Sequence, residues 1–200
     1  MPIRVQLIFL SQNVKASIVN AGDGAHEHPT QGLLDSYSIR ERLGEVGGKK
    51  VVIVGDILHS RVALSNIYAL LLQGAEVKVC GPKTLIPKHI ESLGVSVEPN
   101  LRKALQWCDV ANMLRVQNER MDVNFFPSTR EYAQQYGVDK AILGQFERQF
   151  RACAVFKEDV GNGYIAQRRH FFYRAVDHFL EMIGCFKNEL DVVFVDVLDA

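Results

Sequence analysis

A short stretch near the amino terminus, residues 20–35, concentrates side chains that can bind a small polar molecule. Its centre is the run HEHPTQ, which ends at Gln31. Pro29 is typical of the first position of a helix, where backbone N–H groups and the positive end of the helix dipole face outward. His28 and Gln31 are three residues apart, so they would lie on one side of such a helix. An imidazole can donate to a carbonyl oxygen while a glutamine bonds an amide, so the pair could bind a carbonyl-bearing or anionic ligand.

The same residues also have a purely structural explanation. Asp23, Pro29 and Thr30 are ordinary turn or capping residues near the start of a helix, and a histidine before a proline often belongs only to a turn. Spacing alone therefore leaves two interpretations open, a ligand site and a helix cap.

Composition narrows the class of protein. The 200 residues are 48% hydrophobic, which is enough to bury the core of one large domain. Basic and acidic residues number 23 each, and this zero net charge argues against nucleic-acid binding, which usually needs a basic excess. No apolar run approaches the roughly 20 residues of a membrane span, and residues 1–10 lack the cleavage site of a signal peptide. We therefore expect neither a nucleic-acid nor a membrane partner.

The cysteines indicate a reducing compartment rather than a metal site. All four are widely spaced and form no C-x-x-C pair, which argues against zinc. Isolated cysteines in apolar surroundings are most often buried thiols. We therefore expect a cytoplasmic protein without a bound metal.

Alternating strand and helix signals predict an α/β fold. Residues 49–55 read KKVVIVG, a β-branched run that ends in glycine and is typical of a buried parallel strand. The other strands are predicted at 17–20, 75–80, 95–97 and 109–116, and the helices at 29–43, 61–73, 86–93, 100–107 and 129–136. This alternation favours a Rossmann-like parallel sheet of about four strands, flanked by helices.

Ligands of such sheets bind outside the carboxyl ends of the strands, which selects two loops for attention. The first, residues 55–61, has neither the G-x-G-x-x-G turn of a dinucleotide site nor a Walker phosphate loop, so no nucleotide cofactor is expected. Arg61 would begin a helix, where a cation opposes the dipole. It should therefore have an anionic partner, either a ligand or a neighbour such as Asp56.

The second loop, residues 114–120, carries a further basic side chain at the same edge of the sheet. Arg115 is suited to binding a carboxylate through two parallel hydrogen bonds, and Gln117 lies two residues further on. A surface ion pair of Arg115 with Glu119 or Asp122 is the alternative explanation.

Four blocks of this sequence, in order, resemble the catalytic chain of aspartate carbamoyltransferases. They are residues 20–35 with the core HPTQ, residues 54–62, residues 113–121, which read MLRVQNERM, and residues 126–132. The resemblance covers about residues 10–140, and the pattern RVQxER favours the aspartate enzyme over its ornithine-using relative. It implies an aspartate-binding α/β domain at residues 1–140.

The resemblance also implies a reaction and roles for the residues. Enzymes of this family transfer a carbamoyl group from carbamoyl phosphate to L-aspartate in pyrimidine biosynthesis, without a cofactor. His28 would bond the carbonyl oxygen of carbamoyl phosphate, and Gln31 would hold its NH2 group. Arg61 and Arg115, supported by Gln117, would bind the two carboxylates of L-aspartate. Catalysis would then come from positioning two anions and stabilising a developing oxyanion.

The family has an earlier phosphate-binding domain with an STRT motif, which this sequence lacks. The tripeptide Ser128-Thr129-Arg130 is explained instead by a capping box with Glu131. We therefore expect an incomplete enzyme that works as a homo-oligomer or with a chain that supplies the missing domain. The alternative is a catalytically silent domain that binds dicarboxylates or assembles with full-length subunits.

Residues 141–200 resemble no part of the family. They contain eight of the eleven phenylalanines, and helices are predicted at 145–156 and 164–186, followed by a strand at 191–198. Our hypothesis is that this tail is a replaced, recombined or out-of-frame end, or that it has diverged to cover surface that the missing domain would bury.

Overall fold

The computed structural model describes residues 3–24, 26–114, 128–138, 142, 152–154 and 192–197. Within these ranges the α-helices are α1 (Ile3–Asn13), α2 (Pro29–Leu43), α3 (Arg61–Leu72), α4 (Leu101–Trp107) and α5 (Thr129–Tyr136). The strands are β1 (Ser17–Asp23), β2 (Lys50–Val54), β3 (Glu76–Cys80), β4 (Ser96–Val97), β5 (Val110–Met113), β6 (Ala152–Ala154) and β7 (Val192–Val197). Short 3-10 turns lie at Lys83–Leu85 and Ile90–Leu93.

The main sheet is parallel and has a topological switch point beside its central strand. Its strand order is β4-β3-β2-β5-β6. The chain leaves β2 toward β3 and β4, then returns to the other side of β2 to form β5. Val54, the last residue of β2, is in register with Met113, the last residue of β5. The carboxyl ends of β2 and β5 therefore meet where open α/β sheets bind their ligands.

The two strand ends come close because β2 is followed by glycine. Gly55 has a φ of 133°, which side chains rarely allow, and a Cβ there would lie 3.0 Å from the carbonyl oxygen of Leu114. The backbone N–H of Leu114 donates to the carbonyl of Val54 over 2.7 Å. These contacts hold Gly55 and Leu114, the first residues after β2 and β5, side by side.

The sheet buries a hydrophobic layer on each face, because side chains alternate along β2. Val51 and Ile53 pack with residues of α3, including Ile67. Val52 and Val54 pack on the opposite face with residues of α4, including Leu105. These four side chains of β2 are fully buried. The sheet thus gives α2 and α3 a rigid base from which to position the loops.

The α/β class and most elements predicted from the sequence are confirmed. Helix α2 and helix α5 have the predicted bounds, and the predicted strand at 17–20 extends to Asp23. The main sheet has five strands instead of about four, because β6 adds to β5. The described backbone between residues 3 and 13 is helical.

Two predicted helices are wrong where the structure describes them. The segment 86–93 is not a continuous helix, because only Ile90–Leu93 is helical, as a 3-10 turn that ends at Gly94 in the left-handed conformation. The predicted helix at 145–156 contains strand β6, whose β-region pairing with β5 overrides a helical pattern of phenylalanines. The predicted helix at 164–186 lies outside the described residues.

The predicted terminal strand is confirmed as β7, which pairs in parallel with β1. Two segments of the tail therefore form strands beside strands of the first 140 residues. The boundary at residue 140 and the origin of the tail stay predictions.

A close approach between α2 and α3 leads to a stability prediction. A Cβ on Gly32 would lie 3.0 Å from the carbonyl oxygen of Ser65, so Gly32→Ala should push the helices apart. We expect the free energy of unfolding to fall by about 1–3 kcal/mol, although alanine is the better helix former. Guanidinium unfolding followed by circular dichroism measures this change. Arg42→Ala, at an exposed position on the same helix, is the control, and equal midpoints for both variants would contradict a steric role for Gly32.

Candidate active site

His28 occupies the N-cap of α2 and is oriented by three hydrogen bonds. Its Nδ1 atom accepts from the backbone N–H of Gln31 over 3.3 Å and lies 3.2 Å from the hydroxyl of Thr30. Its own backbone N–H donates to Ser65 Oγ on α3 over 2.9 Å. Because a backbone N–H can only donate, Nδ1 must be the acceptor, and the neutral ring then carries its proton on Nε2. The cap thus sets a tautomer whose Nε2–H is a hydrogen-bond donor.

Gln31 lies one turn into α2, and its side-chain amide has a defined orientation. Its Nε2 atom donates to Asp35 Oδ1 over 2.7 Å. The other carboxylate oxygen of Asp35 accepts from Asn66 Nδ2 over 2.6 Å and from Asn112 Nδ2 over 3.2 Å. Asp35, Asn66 and Asn112 are all buried. The amide of Gln31 is therefore anchored through its nitrogen to a buried polar cluster.

Arg61 begins α3 and links it to the turn after β1. Its Nη1 atom donates to the carbonyl oxygen of Gly24 over 3.0 Å. The helix start is capped by Ser60, whose hydroxyl accepts from the backbone N–H of Ala63. This contact places the guanidinium beside the turn that precedes His28.

The loop after β2 contains an aspartate–histidine pair. Asp56 is fully buried, and its Oδ1 lies 3.0 Å from Nδ1 of His59 and 3.1 Å from the backbone nitrogen of His59. Asp56 thus forms hydrogen bonds with His59, whereas the sequence had suggested it as a partner of Arg61.

Burial, followed by the charge of Asp56, raises the pKa of Tyr132 on α5, so its phenol stays neutral around pH 7.

The structure brings three of the five predicted site residues to one edge of the sheet. His28, Gln31 and Arg61 lie at the starts of α2 and α3, which contact each other through Ser65 and Gly32. Arg115 and Gln117 lie outside the described residues, directly after Leu114 at the switch point. No group of three or more His, Cys, Asp or Glu side chains in the described part of the chain is arranged to hold a metal ion.

Sequence reasoning missed several polar residues that support this edge. Asp35 could have been found, because it is four residues after Gln31 and so on the same helix face. The pairing of Asp56 with His59 is local, since the two residues are three apart in the loop 55–61 that the sequence selected. Ser65, Asn66 and Asn112 reach the site only through tertiary contacts.

Comparison with known proteins finds relatives of high identity. The chain is 86% identical over 141 residues to the aspartate carbamoyltransferase catalytic subunit of Flavobacterium johnsoniae, and 67% identical over 141 residues to that of Cytophaga hutchinsonii. The matched part of the chain is thus similar to aspartate carbamoyltransferase catalytic subunits. Each alignment covers 70% of this chain and 46% of the relative. The chain therefore spans less than half the length of these aspartate carbamoyltransferase subunits.

Solved aspartate carbamoyltransferase structures share the fold. The catalytic subunit from M. jannaschii superposes with a TM-score of 0.72 at 26% identity, covering 94% of this chain and 66% of that one. The Trypanosoma cruzi enzyme in complex with carbamoyl phosphate has a TM-score of 0.66 at 24% identity, covering 88% of this chain and 62% of that one. No protein-family model matches the chain. Among the described residues, no helix has the length and apolar character needed to cross a membrane.

Proposed function

We propose that this chain carries part of an active site that transfers the carbamoyl group of carbamoyl phosphate to L-aspartate in pyrimidine biosynthesis. One observation carries the proposal: His28 caps α2 through Nδ1, so its Nε2–H can donate to a carbonyl oxygen. The related subunits with 86% and 67% identity, which are named aspartate carbamoyltransferases, support the same reaction. We propose no cofactor for it.

In the proposed reaction, the amino group of L-aspartate attacks the carbonyl carbon of carbamoyl phosphate. A C–N bond forms, the carbonyl oxygen gains negative charge, and the bond to the phosphate oxygen then breaks. The proton that the amino group loses leaves with the released phosphate. The Nε2–H of His28 would stabilise the charged oxygen, and the start of α2 would add its dipole. Gln31 would hold the carbamoyl NH2 group, so that the reacting carbon is correctly oriented.

Arg61, Arg115 and Gln117 form the proposed binding site for L-aspartate. Arg115→Ala is expected to abolish binding of L-aspartate and of succinate while leaving the unfolding midpoint unchanged, because a carboxylate loses a two-pronged partner. Isothermal titration calorimetry measures the binding, and circular dichroism measures the midpoint. Arg102→Ala, at an exposed arginine on α4, is the matched control. Equal dicarboxylate binding by Arg115→Ala and the parent would reject the assignment of this loop.

A complete site needs a phosphate-binding part that this chain has not been found to carry. We propose that the chain acts as a homo-oligomer, or with a chain that supplies the missing domain, and that residues 1–140 form the aspartate-binding unit. We also propose that it works in the cytoplasm. Cys80 and Cys108 are buried thiols, and burial raises the pKa of the Cys80 thiol to about 12. Such thiols fit a reducing compartment.

A second candidate function is a catalytically silent domain that binds dicarboxylates or assembles with full-length subunits. This function is favoured by the extent of the alignment, since the chain matches only 46% of the relative's length. The two functions share the L-aspartate site and differ in whether carbamoyl transfer occurs.

The deciding experiment is calorimetric titration of the chain with L-aspartate, with and without carbamoyl phosphate, together with an assay for carbamoyl-aspartate. Turnover would establish the transferase. Binding of L-aspartate without turnover would instead support the silent domain. Absence of binding under both conditions would reject both functions for this chain.

A further inference from the structure

A buried polar cluster formed by residues of α2, α3 and β5 holds the side-chain amide of Gln31 in one of its two possible orientations. The cluster consists of Asp35 on α2, Asn66 on α3 and Asn112 on β5. The carboxylate of Asp35 accepts three amide N–H donors, from Gln31, Asn66 and Asn112, over 2.7, 2.6 and 3.2 Å. A carboxylate only accepts hydrogen bonds, so each of the three amides must turn its nitrogen toward Asp35.

The two asparagines show how strongly Asp35 orients its neighbours. The carbonyl oxygens of Asn66 and Asn112 are buried and have no hydrogen-bond partner among the residues that the structure describes. Rotating either amide by half a turn would bring its oxygen against a carboxylate oxygen. Both amides therefore keep the nitrogen-inward orientation although it leaves their carbonyl oxygens unpaired, which is a real cost in a protein interior.

We propose that Asp35 is a positioning residue that makes this site selective for a carboxamide NH2 group. Because Asp35 binds Nε2 of Gln31, the ligand-facing atom of the amide is its carbonyl oxygen, which can only accept. A ligand with an N–H donor at that point gains a hydrogen bond, whereas an isosteric methyl group leaves the oxygen unpaired. The inference rests on the proposed function, since it takes Gln31 to contact the carbamoyl group.

The substitution Asp35→Asn tests the proposal because it reverses the pattern of donors. The oxygen of the introduced amide would keep the bonds from Asn66 and Asn112, so its NH2 group would face Gln31. Gln31 would then turn its oxygen inward and present NH2 to the ligand. The double substitution Asp35→Asn with Gln31→Glu restores an accepting oxygen on the ligand side. The introduced carboxylate accepts from the introduced amide with one oxygen and keeps its second oxygen for the ligand.

Two stable probes differ only at the group in question. Phosphonoacetamide carries NH2 on its carbonyl carbon, and acetonylphosphonate carries CH3 there, while both carry the same phosphonate. Their ratio of dissociation constants, measured by NMR titration, cancels charge effects that act on the shared phosphonate. We expect the parent chain to prefer the amide by about tenfold or more. The preference should vanish or reverse in Asp35→Asn and return in the double variant.

Asp109→Asn is the matched control, since Asp109 also accepts a backbone N–H, from Lys50, but at the opposite edge of the sheet. It should keep the parent's preference, and circular dichroism checks that each variant is folded. An unchanged preference in a folded Asp35→Asn chain would overturn the proposal. If Asp35→Asn does not fold, the double variant decides. A folded double variant that binds both probes equally would contradict the proposal, because the amide preference should have returned.

A separate measurement without ligand distinguishes failure of this inference from failure of the proposed function. The hydrogen bond from Gln31 to Asp35 should give an NMR scalar coupling between Nε2 of Gln31 and the carboxylate carbon of Asp35. This coupling reports directly that the side-chain nitrogen of Gln31 faces Asp35. If the parent binds neither probe even in an assembly that supplies the phosphate-binding part, the proposed function fails and the coupling still decides whether Asp35 orients Gln31. If the parent binds both probes equally, carbamoyl phosphate binding remains possible for the proposed function, but the selectivity inference is wrong.

Discussion

Replacement of His28 by alanine is expected to lower the rate of carbamoyl-aspartate formation by about 10²–10³-fold. This is the usual effect of removing one donor that stabilises a developing oxyanion. The Nδ1 atom of His28 caps α2, so the alanine variant should also lose about 1 kcal/mol of stability. The rate is measured by carbamoyl-aspartate production in the assembly that turns over, and the stability by guanidinium unfolding.

Two further variants separate the chemical role of His28 from its structural one. His28→Ser keeps an oxygen that can cap α2 but has no ring donor, so it should retain stability and still lose the rate. His89→Ala removes an exposed histidine that begins a 3-10 turn without a side-chain cap, and it should change neither quantity. A His28→Ser chain with the parent's rate would reduce His28 to a helix cap.

Replacement of Ile53 by alanine is expected to cost about 2–5 kcal/mol in the free energy of unfolding. Ile53 is in the middle of β2, the central strand, and 0% of its side chain is exposed. Truncation leaves a cavity between the sheet and α3, where the surrounding β-strands cannot collapse. Domains are stable by only about 5–15 kcal/mol, so the midpoint of guanidinium unfolding should fall visibly.

Leu72→Ala is the control for this loss, because it removes a comparable apolar group from the last turn of α3, where 90% of the residue is exposed. Its expected change is within about 0.5 kcal/mol. Similar losses in Ile53→Ala and Leu72→Ala would mean that the unfolding transition does not report on the core of the main sheet.

The helices and strands of residues 29–113 were largely predictable because their signals are local. Pro29 and Gly44 mark the ends of α2, and the run of β-branched residues before Gly55 marks β2. The structure of the segment after Pro82 was harder to predict from the sequence, since this segment forms only short 3-10 turns between its prolines and glycines. Strand β6 was missed because pairing with β5, rather than its own sequence, makes it extended.

The candidate site was predictable only in part. The spacing of His28 and Gln31 on one helix and the place of Arg61 after β2 follow from local periodicity and from the carboxyl-end rule for parallel sheets. The atoms that each side chain uses do not follow from those rules. The protonated nitrogen of His28 depends on which backbone N–H reaches Nδ1, a matter of cap geometry.

By itself, the sequence determined the α/β class, the positions of α2 and β2, and a family resemblance that the matched relatives confirm. Only the tertiary structure decided which buried residues surround Asp35, the partner of Gln31. Asp35 is joined to Asn66 and Asn112 across 31 and 77 residues of chain, so no local pattern could have revealed them as partners. The physical reason is that buried hydrogen-bond groups must find partners wherever the packed elements place them, and that placement is a property of the whole fold.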